Sequence, residues 1–177
     1  MGEFGMPGSH TDAAGGLQSG SSMSDMVAGL ASDKWLDRHA AEVGLLSLGR
    51  SAVPTLVDCL DSTSAQVRWG AAKVLKGIAG IADPSAAVAL ARALVDIDGG
   101  VRWLAADALI AMGPKSIGPI LRLLVQRGDS PWAQEGAHHV LRQLAVPQTN
   151  AVIHALEDHF PELTVPVAAN AALNALA

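Results

Sequence analysis

Residues 67–75 read VRWGAAKVL and residues 101–109 read VRWLAADAL, the same phrase 34 residues apart. A unit of this length cannot bury its own apolar side, so repeated copies stack and bury it against each other. Two weaker copies flank the pair. AQEGAHHVL occupies 133–141, and LDRHAAEVG at 36–44 aligns as the first. The linkers also recur, since GRSAVPTLVDCL at 49–60 aligns with GPKSIGPILRLL at 113–124.

Capping residues, glycines and prolines divide the chain into helices over 25–31, 34–48, 51–60, 65–79, 85–95, 101–112, 116–126, 131–145, 148–158 and 166–176. Ser24 or Asp25, Asp33 and Asp83 are placed as N-caps; Gly49, Gly80 and Gly113 end helices; Pro54, Pro84 and Pro131 sit in first turns, where a missing N–H costs little. Pro161 and Pro166 bound the last linker. The expected fold is all-α, with about five antiparallel helix pairs, each an A helix, a polar break and a B helix that opens with the phrase.

Composition agrees. Half the residues are apolar, but there are only four Trp, two Phe and no Tyr. Ala and Leu dominate, as close-packed helices require. The net charge of −5 argues against a nucleic-acid partner, whose phosphates need a basic face. Cys59, the sole cysteine, lies in the apolar run LVDCL and reads as a buried thiol. No apolar run approaches the ~18 residues of a membrane span, and no secretory leader is evident, so the expected location is cytoplasmic. Residues 1–22 are rich in Gly and Ser and are expected to be disordered and largely vector-derived, with 23–177 a single repeat domain.

The series Asp98, Val101, Arg102, Ala105, Ala106, Ala108 and Leu109, with Val67, Arg68, Ala71, Ala72 and Leu75 before it, resembles HEAT repeats, and most closely the short class found in phycobilisome bilin lyases. That resemblance implies a right-handed, armadillo-like α-solenoid with its B helices on the concave face. It also implies a structural ladder in which Arg68 and Arg102 bond neighbouring polar groups. Asp37 and Gln134 stand at the arginine position in the outer copies.

Helical geometry separates the phrase into two faces. Val67, Ala71, Val74, Leu75 and Ile78 form one stripe, and Trp69 lies about 170° from its centre, beside Lys73 and Lys76. Trp103 repeats this above Asp107, and Trp35 and Trp132, one residue before their copies of the phrase, border the same surface. Four exposed Trp on one face would form a binding groove, with Trp69 and Trp103 as central anchors. Its polar rim would be Lys34, Arg38, Glu42, Gln66, Lys73, Asp107, Glu135 and His139, with Gly70, Gly99, Gly100 and Gly136 leaving slots for a partner's side chains.

The groove implies a non-catalytic scaffold for a protein or peptide partner. The bilin-lyase resemblance offers a second reading, a tetrapyrrole or other planar ligand. A third is a nucleic-acid reader or base glycosylase. His39 with Glu42, and His154 with Asp158 and His159, have spacings that could hold a metal, but no metal or catalytic motif is complete, so neither cofactor nor metal is expected.

Overall fold

The computed structural model describes residues 22–81, 83–158 and 161–176. Regular structure among them is helical: α1 (Met23–Leu30), α2 (Trp35–Leu48), α3 (Val53–Cys59), α4 (Ala65–Gly77), α5 (Pro84–Ala93), α6 (Gly99–Met112), α7 (Ile117–Arg127), α8 (Pro131–Leu144), α9 (Asn150–Leu156) and α10 (Pro161–Leu176). Short 3-10 turns precede α3, α7 and α9. The expected disorder of 1–22 falls outside the described residues except at Ser22. Ser22 caps α1 in a reciprocal capping box with Asp25, so the helix starts two residues earlier than expected.

Helices α2, α4, α6 and α8 pack successively into one layer. Helices α3, α5 and α7 pack successively into the other, and α1 lies on α2 and α4. This is long-range helix–helix packing of the helical-repeat kind. The N-caps of the first layer are Lys34, Ser64, Asp98 and Ser130. Seven residues after each cap stands a buried alanine, Ala41, Ala71, Ala105 or Ala137, which lets the helices approach closely. Eleven residues after each cap stands a fully buried leucine, Leu45, Leu75, Leu109 or Leu141. Burying each such leucine stabilises the fold by about 1.5–3 kcal/mol.

These caps correct the expected register of the first copy. Counted from Lys34, the residue in the Arg68 position is Arg38, not Asp37, and Trp35 is the first residue of α2. The expected cap Asp33 lies one residue outside, and no side chain caps α2.

The expected glycine slots are largely taken by the chain's own side chains, although Gly99 and Gly136 also line an open cleft between α6 and α8. A Cβ on Gly70 would stand 2.9 Å from Leu30, and one on Gly136 would stand 3.0 Å from Leu94. Each glycine admits a leucine from the end of an earlier helix. Gly100 lies under the Trp69 ring, with its missing Cβ 3.2 Å from the indole. Gly99 faces the Arg102 guanidinium.

The C-terminal pair departs from the repeat. Pro161 starts α10 and Pro166 lies inside it, rather than the two bounding a linker. α10 packs mainly against α7 and α9, while α9 touches α8. Pro166, near the start of α10, covers Gly128 at the end of α7, and Leu173 and Leu176 lie beside Ile117 and Gly118 at its start. α10 therefore runs opposite to α7 and closes the second layer, instead of extending the first as a B helix.

By length and composition, Gly99–Arg127 is apolar enough to cross a membrane, contrary to the sequence expectation. Gly113, with φ 66°, divides that stretch into α6 and α7, and both helices bury their apolar sides in the core. Cys59 is buried, and burial pushes its thiol above the ordinary cysteine range.

Gly70→Val should destabilise the protein by about 1–3 kcal/mol through overpacking against Leu30. Gly80→Ala, whose Cβ meets nothing within 4 Å, should change stability by no more than about 0.5 kcal/mol. Urea unfolding of the two variants checks the contrast.

Candidate functional site

Four repeats tie their polar break to the following helix in the same way. The fourth residue after each cap donates to the carbonyl six residues before it. Arg38 reaches Ser32 O at 2.7 Å, Arg68 reaches Ser62 O at 2.9 Å, Arg102 reaches Asp96 O at 2.8 Å, and Gln134 reaches Gly128 O at 2.7 Å. The three arginines use the same Nη1 for the next carbonyl, on Asp33, Thr63 and Ile97. The series runs through the outer copies as well, because glutamine supplies the same donor as arginine.

The rest of the guanidinium differs between repeats. Arg68 places Nε and Nη2 on the Asp96 carboxylate at 2.7 and 2.8 Å, a two-point pair between successive repeats. Both side chains are about nine-tenths buried. Burial pushes the Asp96 carboxyl up, but the Arg68 hydrogen bond, the Asp98 N–H and the charges of Arg68 and Arg102 outweigh it. The carboxyl is held below the ordinary aspartate range. This junction between α4 and α6 is also where Trp69 covers Gly100 and where Lys76 pairs with Asp107 at 2.6 Å.

A cleft opens on each side of that closed junction. The first, about 350 Å³, lies between α2 and α4 and is lined by Trp35, Arg38, His39, Glu42, Gln66, Trp69, Lys73 and Asp98 among others. His39 stacks flat on Trp35 at 5.2 Å, and the Lys73 ammonium sits 4.9 Å from the Trp69 ring centre. Glu42 is only 6% exposed, so it is a floor residue rather than a rim residue, and it binds Lys73 at 2.7 Å.

The second cleft, about 440 Å³, lies between α6 and α8. Leu94, Ala106 and Trp103 give it apolar surface, and Arg102, Glu135, His138, His139, Arg142 and Gln143 give it polar groups, with Trp132 beside them. The Arg102 guanidinium lies 4.5 Å from the Trp132 ring centre, and His139 lies tilted against Trp103 at 5.5 Å. His138 borders the cleft as well as His139. The His138 Nε2 is 3.1 Å from Glu157, the residue that caps the end of α9. That hydrogen bond is the main reason the Glu157 carboxyl lies below its ordinary range, with Arg142 and His154 adding their charge.

The structure thus brings the four tryptophans together as two pairs rather than as two central anchors with flanks. Trp35, Trp103 and Trp132 are 63%, 60% and 42% exposed, while Trp69 is half-buried against the core. Lys73 and Asp107 are already ion-paired between helices. Lys34 is a helix cap, outside both cleft linings. Leu94, His138, Arg142 and Gln143 escaped the sequence reading. For the α8 residues the signal is helical spacing, since 135, 138, 139 and 142 share one side of α8 with Trp132; Leu94, at the end of α5, reaches the cleft by tertiary packing alone. His159 lies outside the described residues. Among the described residues, no three His, Cys, Asp or Glu side chains are grouped to hold a metal.

Asp96→Asn should cost about 1.5–3 kcal/mol at pH 7, because it leaves the Arg68 fork without its charged acceptor. The Asp96 contribution is present above the unfolded aspartate value near ~3.9 and is lost as pH falls through the lower folded value. The difference between wild type and variant should therefore shrink steadily below about pH 4 in a denaturant series.

Among curated proteins, none matches the chain. The profile of the family described as HEAT repeats matches residues 23–110, the stretch from α1 to nearly the end of α6. The match is to HEAT repeats in general and does not single out the phycobilisome-lyase class. A HEAT-like repeat motif is therefore present over this part of the chain.

Proposed function

We propose that the protein is a non-catalytic scaffold that docks a protein or peptide partner on the exposed side of α2, α4, α6 and α8. In this reading that layer is the concave side of a right-handed HEAT-type superhelix. The observation that carries it is the exposure of Trp35, Trp103 and Trp132 along two clefts of one layer. Exposed indoles beside polar side chains are the composition of interface hot spots, and helix packing does not require them there.

A tetrapyrrole or other planar ligand has less support, because three of the four indoles already carry a partner against one face. His39 lies on Trp35, Lys73 on Trp69 and Arg102 on Trp132. A duplex partner is disfavoured by the net charge of −5.

Peptides selected from a displayed random library on the wild-type protein test the reading. Trp35→Ala and Trp103→Ala should each weaken the peptides that use their cleft by about 2 kcal/mol or more, with melting temperature unchanged. Selected peptides that bind both variants as tightly as wild type would place the docking surface elsewhere.

A further inference from the structure

The repeat contains its own template for what the second cleft binds. Arg68 and Arg102 occupy the same register, and both spend Nη1 on the two carbonyls of the preceding break. Arg68 then places Nε and Nη2 on the carboxylate of Asp96, which stands two residues before the next cap, Asp98. For Arg102 the corresponding residue, two before the cap Ser130, is Gly128. Gly128 offers no side chain, and none fits. A Cβ there would stand 2.6 Å from Leu124 O and 2.8 Å from Pro166. Among the described residues, Arg102 Nε and Nη2 have no acceptor.

The open fork is also held in place. The guanidinium is fixed at Nη1 by two carbonyls and lies over the Trp132 ring. Stacking uses the face of the guanidinium and leaves its in-plane N–H edge for a carboxylate. Arg142 on the cleft wall is 3.6 Å from Glu157 and Glu135 brings a carboxylate to the same lining, so the acid-seeking group of the cleft is the Arg102 edge, with the exposed Trp103 supplying an apolar surface alongside.

We propose that the Nε and Nη2 edge of Arg102, in the cleft between α6 and α8, is a receptor for an Asp or Glu side chain of an acidic peptide segment in the partner, with a neighbouring apolar side chain of that segment against Trp103. This deepens the scaffold reading and rests on it. Arg38 lacks the aromatic backing, and its corresponding residue is Ser62 rather than an acid.

The experiment uses peptides selected on the full-length protein, acetylated and amidated so that no terminal carboxylate is present, and measured by fluorescence anisotropy. Arg102→Gln is the informative variant. Gln134 makes the same bond to the break carbonyl in the next repeat, so the variant keeps the tie and removes the fork. Peptides that need Trp103 should contain Asp or Glu. Changing that acid to Asn or Gln should cost about tenfold or more on wild type and less than about twofold on Arg102→Gln. Arg102→Lys, which keeps the charge without the fork, should retain only part of the acid dependence. Trp103-dependent peptides without an acid, or an equal loss on wild type and Arg102→Gln, would overturn the receptor and leave the scaffold standing. A library that yields no peptide sensitive to Trp35→Ala or Trp103→Ala would overturn both.

Discussion

The hydrogen bond from the fourth residue of each B helix back to the carbonyl of its break is the interaction on which the stack depends. A short break between two helices leaves backbone carbonyls near the packed face, and a buried carbonyl without a donor is costly. An arginine or glutamine at one fixed register supplies that donor in four successive repeats. It fixes the angle at which the chain enters α2, α4, α6 and α8. With that angle set, the alanine and leucine of each helix meet their neighbours at the same height, and the layer grows by addition.

Contacts between repeats are built differently from contacts within them. Between α4 and α6 the chain uses a two-point ion pair, a tryptophan seated on a glycine, and Lys76 with Asp107. Between α2 and α4 the ion pair is Glu42 with Lys73, next to open space. The middle junction is therefore closed and its two neighbours are open, although all three derive from nearly the same phrase. Single substitutions decide which is which: Asp96 against Gly128 at one register, Trp69 over Gly100 at another.

Much of this was legible in the residues. Period, helix order and the side on which the tryptophans stand follow from spacing and from 100° per residue. The register of the first repeat was not, because DRH shares one letter with VRW, and it is the Lys34 cap together with the Arg38 bond to Ser32 that identifies the equivalent residue. The last helix was misread because Pro161 and Pro166 look alike in sequence. One starts α10 and the other is accommodated inside it against Gly128, a tertiary fact. Glu42 and Lys73 were assigned to water by helical position, yet each found its partner on the adjacent helix. Local spacing carries no information about that partner.

The alternation of joints has a consequence of scale. Gly49 and Gly113, 64 residues apart, both end their helices at positive φ and lead straight into a 3-10 turn; α8 ends at positive φ on Ala145 with its 3-10 turn two residues on, and α4 ends on Ile78 at negative φ. The clefts are spaced by the closed junction, one between α2 and α4 and the other between α6 and α8. Neighbouring helix axes lie about 8–10 Å apart, so the two clefts are offset by about 16–20 Å. An extended chain covers that offset in about five or six residues. In the docking role proposed above, the surface would act as a ruler with two notches, on which a longer ligand would engage both and gain from their linkage while a shorter one would occupy a single notch.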